Sequence, residues 1–154
     1  MRSDDENTIP RTALILGLAG ALPFWALALV LLFSHSALMA AFAVKGGIAY
    51  GAVILSFLGG IRWGEALKPY GRRERAWAFS LSVVPSLAGW AALLMPAIPA
   101  LSLLVAGFLM QSLWDVTSAQ EGRLPGWFGK LRAILTSLAV TALILMLGCL
   151  LLIA

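Results

Sequence analysis

Five long apolar runs constrain what this chain can fold into. A single helical crossing of a bilayer core about 30 Å thick needs about 20 consecutive apolar residues. The runs lie at 12–33, 45–63, 75–95, 98–117 and 131–154. Charged residues make up 12% of the chain, about half the share in ordinary soluble domains. We therefore predict an all-α polytopic membrane bundle of five transmembrane helices, with residues 1–154 as a single membrane domain.

A short apolar segment separates the first two runs. Residues 36–44 follow Ser34 and His35 and precede Lys45. Polar residues on both sides favour a position at the membrane surface. We expect this segment to form a short interfacial helix on the outer side.

The basic residues indicate how the bundle is oriented, because short cytoplasmic loops collect Lys and Arg. With five spans, ten of the eleven basic residues fall on one side of the membrane. These ten are Arg2, Arg11, Arg62, Lys68, Arg72, Arg73, Arg75, Arg123, Lys130 and Arg132, and Lys45 stands alone on the other side. The pattern predicts a cytoplasmic N-terminus, an external C-terminus and a bacterial inner (cytoplasmic) membrane location. It also accounts for the net charge of +4 without nucleic acid.

Small residues recur along the second span in two series, each with a spacing of four. This spacing is typical of helix contacts in lipid, where small side chains let two backbones approach closely. The residues are Gly47, Gly51, Ser56, Gly60 and Gly64. We expect them to pack against neighbouring helices at the centre of the bundle, with Gly60 at the tightest crossing. A homodimer contact and a ligand-lining surface are the alternatives.

Polar and aromatic residues gather at the cytoplasmic ends of the spans, where burying a charge is costly and indicates a role. They are Arg62, Trp63, Glu65, Gln111, Trp114, Asp115, Trp127 and Arg132. We interpret them as a ligand or partner site and predict that Asp115 pairs with Arg62 or Arg132. The alternative is an ordinary interfacial belt of tryptophans and snorkelling arginines.

The sequence offers little for catalysis or cofactor binding. The one histidine, His35, cannot supply bis-histidine haem ligation, and no group of His, Cys and carboxylate residues has metal-ligand spacing. No phosphate-binding glycine loop or nucleophile elbow occurs. Glu65 and Asp115 could serve as acid and base, but no nucleophile accompanies them. We expect no cofactor, no metal and no enzymatic activity.

Four segments resemble the transmembrane-protein-69-like family. They are YGAVILSFLGGIRWG from Tyr50 to Gly64, VVPSLAGWAALL from Val83 to Leu94, QSLWD from Gln111 to Asp115, and LPGWFGKLR from Leu124 to Arg132. The resemblance implies a small membrane protein of five helices and carries no catalytic residue. The chain is also similar in length and helix number to the translocator-protein (TspO) family, but it lacks that family's Trp-x-Pro-Pro segment in the third helix.

Two functional hypotheses follow for a protein whose surroundings are the lipid bilayer. In the first, the chain is a non-enzymatic accessory or assembly partner of another membrane complex, which it contacts through its glycine face and its aromatic and basic rim. In the second, it binds or transports an apolar or amphipathic ligand, with Arg62, Gln111 and Asp115 at the polar end of a cavity. A cavity that reaches Gln111 would favour the second hypothesis.

Overall fold

The architecture is a bundle of five α-helices, each long and apolar enough to cross a membrane. In a computed structural model of the chain the helices are α1 (Arg11–Phe33), α2 (Ala37–Ala66), α3 (Arg72–Leu94), α4 (Ala97–Gln120) and α5 (Gly126–Ile153). The structure describes residues 8–67 and 71–153, without the side chains of 72–74 and 153. The predicted fold class is confirmed. Arg2, Lys68 and Ala154, which entered the prediction, lie outside the described residues.

The second helix is longer than predicted. No separate interfacial helix exists at 36–44, because Ala37 to Val44 form the first turns of a continuous α2 of 30 residues. That stretch contains no Gly or Pro to end a helix. The break between α1 and α2 falls instead at Ser34–Ser36, where the Ser36 N–H donates a 3.2 Å hydrogen bond to the Ser34 hydroxyl.

Tight turns join the helices as antiparallel neighbours. Pro96 directly precedes α4, and the residue before a proline is disfavoured in helical conformation, so α3 ends at this point. Between α4 and α5, Gly122 adopts φ +73°, a left-handed conformation that glycine accepts at low cost. This conformation lets the Arg123 N–H donate to the Ser118 carbonyl at 2.9 Å. We call the end of the bundle with the α2–α3 and α4–α5 turns the basic end.

The helices form a ring that closes between α1 and α5, and α2 also packs across the ring on α4. Phe24 of α1 lies at the centre and meets the rings of Tyr50 and Phe108 edge to face, with centroids 4.9 and 5.8 Å away. The Tyr50 hydroxyl donates to the Gly20 carbonyl at 2.8 Å, so this half-buried polar group is satisfied. Aromatic contacts therefore join α1, α2 and α4 in the interior of the bundle.

Glycines allow the close helix contacts, but not all the predicted ones take part. A Cβ on Gly47 would lie 2.6 Å from Met146, and one on Gly51 would lie 2.8 Å from Leu104. The tightest contact with α3 is at Gly59, whose Cβ would lie 2.5 Å from the Ser82 carbonyl oxygen. The Ser56 side chain lies 3.3 Å from the Cβ position of Gly89, so Ser56 also contacts α3.

The expectation that Gly60 marks the tightest crossing is wrong. Gly60 and Gly64 are exposed, and no atom of the described residues would come within 4 Å of a Cβ at either position. The reason is helical geometry, since each step of four residues rotates the face by about 40° and the step of five from Gly51 to Ser56 rotates it by about 140°. A series that starts on the packed face at Gly47 has therefore left it by Gly60.

The adjacent glycines 59 and 60 provide a matched test of this packing. We expect Gly59→Ala to destabilise the bundle by about 1–3 kcal/mol, because the new methyl group meets the α3 backbone. Gly60→Ala should be neutral or stabilising by up to about 1 kcal/mol, because alanine is the better helix former. Thermal unfolding of both variants in detergent measures the difference. Equal stabilities would mean that α2 is rotated relative to this structure.

Candidate functional site

The centre of the candidate site is a carboxylate held between two arginines. Asp115 of α4 accepts a 2.8 Å hydrogen bond from Arg132 Nε of α5 at one carboxylate oxygen. Its other oxygen lies 3.3 Å from Arg62 Nη2 of α2. All three side chains are buried, and we call them the arginine–aspartate triad. The triad joins three helices near the basic end.

Backbone carbonyls and Gln111 extend the triad into the bundle. The Gln111 side-chain amide donates to the Leu58 carbonyl of α2 at 3.1 Å. Arg62 Nη2 also lies 3.4 Å from the Gln111 carbonyl oxygen, so it contacts α4 at two levels. Because Gln111 and Asp115 lie four residues apart on one face of α4, both face α2. These contacts make the α2–α4 interface polar at this level.

Trp114 completes the surroundings of Arg62. The guanidinium carbon lies 4.0 Å from the centre of the indole ring, a distance typical of a cation–π contact. Arg62 and Trp114 form one wall of a cavity of about 490 Å³ between α2, α3 and α4. Glu65, Trp77 and Arg123 also line this cavity. A cavity with aromatic walls and both signs of charge is suited to an amphipathic group at headgroup depth.

The structure brings together most of the predicted site residues. Arg62, Gln111, Trp114, Asp115 and Arg132 form one contact network, and Glu65 lines the adjoining cavity. Trp63 and Trp127 are not among the residues that line it.

The two excluded tryptophans have partners of their own. Trp63 is 49% exposed and packs on Phe79 of α3, with centroids 4.8 Å apart. Trp127 packs against Phe128. These residues fit the alternative reading of an aromatic belt, and the buried triad does not.

Three further residues near the site were not predicted from the sequence. Trp77 and Glu121 line the cavity, and Ser118 is fully buried one turn after Asp115. The spacing of Gln111, Asp115 and Ser118 at four and three residues is the pattern of a single buried helix face. That periodicity was the available signal for Ser118. Nothing in the sequence places Trp77, since its contact depends on how α3 packs.

Comparisons with known proteins identify relatives of the whole chain. A family model described as "Protein of unknown function (DUF3429)" matches residues 9–148. A protein named Transmembrane protein 69 from Xenopus tropicalis is 38% identical over 88% of this chain and 53% of its own length. Its namesake from Mus musculus is 37% identical over 55% of this chain and 34% of its own length. The chain spans about half the length of the Xenopus tropicalis relative. No solved structure matches.

Removing the charge of Asp115 tests the triad. We expect Asp115→Asn to destabilise the bundle by about 3–5 kcal/mol, because two buried guanidinium groups would lose their shared counter-ion. Glu121→Gln is the control, since Glu121 and Arg123 form an exposed pair whose loss should cost at most about 1 kcal/mol. Unfolding of each variant by titration with a denaturing detergent gives the comparison. If the two variants lose similar stability, the triad does not hold the helices together.

Proposed function

Because the chain belongs to the DUF3429 family of membrane proteins, to which no activity is assigned, we propose a role from its own surface. The chain is a non-enzymatic accessory or assembly partner of another membrane complex. A transmembrane helix of that partner docks on α2 at Gly60 and Gly64. The single observation that supports this proposal is that the bundle itself makes no close contact at these two glycines among the described residues.

Two glycines on a lipid-facing surface require a reason. Glycine inside a helix costs up to about 1 kcal/mol relative to alanine, and neither position needs a positive φ, since the described residues have one only at Gly122. Gly60 and Gly64 are four residues apart and share a face. In lipid, such a pair lets a second helix approach until the backbones touch. A partner helix therefore explains both glycines, whereas the monomer's own packing explains neither.

The polar residues do not form the cavity expected for an enclosed ligand. The Gln111 side-chain amide donates to the Leu58 carbonyl, and Gln111 is not among the residues that line the cavity beside Arg62. Both carboxylate oxygens of Asp115 already form ion pairs with arginine side chains. Both observations favour a structural use of these groups, and hence the partner hypothesis over the ligand hypothesis.

Binding of an amphipathic ligand is the second candidate function. The cavity of about 490 Å³ beside Arg62 supports it. A ligand there would place an apolar part between Trp77 and Trp114 and a polar part towards Arg62, Glu65 and Arg123. This site lies near the basic end and leaves Gly60 and Gly64 uncovered, so the two candidate functions can be tested separately.

The location and orientation are part of the same proposal. We propose a cytoplasmic N-terminus, with the basic end facing the cytoplasm and the protein in a bacterial inner membrane. The distribution of Lys and Arg supports this orientation. The relatives from Xenopus tropicalis and Mus musculus are vertebrate proteins, so they support a multi-pass membrane protein but do not indicate which membrane holds this chain.

Site-specific photocrosslinking in native membranes tests the docking face. We expect a photoreactive amino acid at Leu67, which is 70% exposed one turn after Gly64, to give one discrete adduct with another protein, because a partner helix docked on the two glycines lies against it. The same amino acid at Ile144, which is 52% exposed on α5, is the control and should react with lipid. Gly64→Leu should remove the Leu67 adduct, since a large side chain separates the helices, while thermal stability in detergent stays unchanged.

Two outcomes would overturn the proposed partner. An adduct of twice the chain's mass would identify a homodimer. If the probe at Leu67 gives no protein adduct and reacts only with lipid, as the probe at Ile144 does, this face of α2 contacts lipid and not a partner helix.

Accessibility of single cysteines tests the orientation. In a background with Cys149→Ser, we expect a cysteine at Glu121, which is exposed in the same turn as Gly122, to be protected from a membrane-impermeant maleimide in intact cells. A cysteine at Ser36 should be labelled, because it lies at the opposite end between α1 and α2. The reverse pattern would place the basic end outside.

A further inference from the structure

A small crevice opens between α1, α2 and α5 on the side of the triad away from the cavity at Arg62. Its volume is about 170 Å³, close to that of five or six water molecules. Leu16, Gly20 and Phe24 of α1 form one wall, and Arg132 and Thr136 of α5 form another. We call it the α1–α5 crevice. Its other lining residues are apolar or glycine.

Two buried polar atoms in this crevice have no hydrogen-bond partner among the described residues. They are Arg132 Nη2 and Thr136 Oγ1. Arg132 is 6% exposed and Thr136 is 4% exposed, so bulk water does not satisfy them. An unsatisfied buried donor costs about 1–3 kcal/mol, and more when it is charged. Because the two residues are four apart on α5, both face the same wall.

The charges around Arg132 favour an anion. Two guanidinium groups share the single carboxylate of Asp115. On the Arg62 side a second carboxylate, Glu65, lines the neighbouring cavity. No acidic residue is present among the residues that line the crevice. An occupant that brings its own negative charge to Arg132 would balance this side of the triad.

We propose that the α1–α5 crevice binds one acyl chain of an anionic amphiphile. Its carboxylate or phosphate oxygen accepts hydrogen bonds from Arg132 Nη2 and the Thr136 hydroxyl. The acyl chain runs from Arg132 towards Ala139 and Phe24, about two helical turns deeper in the membrane. The small volume admits part of one chain and not two. The inference is independent of the partner helix at Gly60 and Gly64.

A photoreactive fatty acid locates the binding site. The full chain is reconstituted in phosphatidylcholine nanodiscs with a diazirine-labelled fatty acid, and the adducts are mapped by mass spectrometry. We expect labelling to concentrate on peptides that contain Leu16–Phe24 and Ile54–Leu58, which face each other across the crevice. Uniform labelling of all lipid-facing helices would overturn the proposal.

Competition identifies the polar end of the occupant. Oleate and oleoyl-lysophosphatidylglycerol distinguish a free carboxylate from a lipid phosphate, and oleyl alcohol is the uncharged control with the same chain. We expect at least one of the two anions to compete about tenfold more strongly than the alcohol, since a hydrogen bond to a charged group is worth about 1.5–3 kcal/mol. Equal competition by all three would show that Arg132 does not recognise the polar end.

Substitutions that leave the triad intact connect binding to the crevice. Gly20→Leu should abolish specific labelling by filling the crevice, and the backbone tolerates it because a Cβ there meets only Tyr50 Oη, at 3.9 Å. Thr136→Val should weaken oleate competition about tenfold, because the lost hydroxyl donates to a charged carboxylate.

Matched controls separate this inference from the proposed function. Ser137→Ala is the control for Thr136→Val, since the Ser137 hydroxyl already donates to the Ala133 carbonyl at 2.8 Å. Gly64→Leu, which tests the partner helix, should leave labelling unchanged. If Gly20→Leu folds with normal thermal stability and is labelled as before, the crevice is not the binding site and holds water.

Discussion

The attachment of α4 to α2 and α5 through one carboxylate is the constraint on which the basic end depends. Lipid offers no hydrophobic drive for helices to associate, so packing and polar contacts must hold them together. Asp115 supplies a polar contact to both neighbours. A buried ion pair is not stabilising in itself, because desolvation offsets much of the Coulomb attraction. Its value here is geometric, since a change in the register or rotation of one helix would separate Asp115 from Arg62 or Arg132.

The remaining close helix contacts depend on glycines, which have no side chain to keep neighbouring helices apart. Gly51 and Gly59 let α2 approach α4 and α3 through Leu104 and Ser82, and Gly47 leaves room for the Met146 side chain of α5. α2 therefore has a defined rotation at several levels, with polar contacts near Arg62 and small residues further along. The face of α2 that makes none of these contacts carries Gly60 and Gly64. The internal packing of α2 therefore determines which of its glycines are exposed on the surface.

The sequence is sufficient to predict the fold and the central residues of the site, but not how each helix is rotated about its own axis. The five spans follow from apolar length alone, and the pairing of Asp115 follows from the scarcity of buried charges in membrane helices. The spacing of four indicates Gly60 and not Gly59 as the packing glycine. Because α2 is apolar on most faces, the sequence carries no polar stripe that would fix the rotation of the helix and correct this choice. Thr136 was missed for a related reason, since a threonine in a membrane helix has no distinctive signal until its neighbours are known.

The length of α2 has a consequence for the membrane in which the chain can reside. Its 30 residues extend about 45 Å, well beyond a hydrocarbon core of about 30 Å. Arg62 is fixed near one boundary by Asp115, and Lys45 is the next charge along the helix, about 26 Å away at 1.5 Å per residue. The distance between these two cations therefore determines the hydrophobic thickness that suits α2. A much thicker bilayer would draw the ammonium group of Lys45 into hydrocarbon or force α2 upright, so the distance between the two cations limits the hydrophobic thickness that α2 spans at low cost.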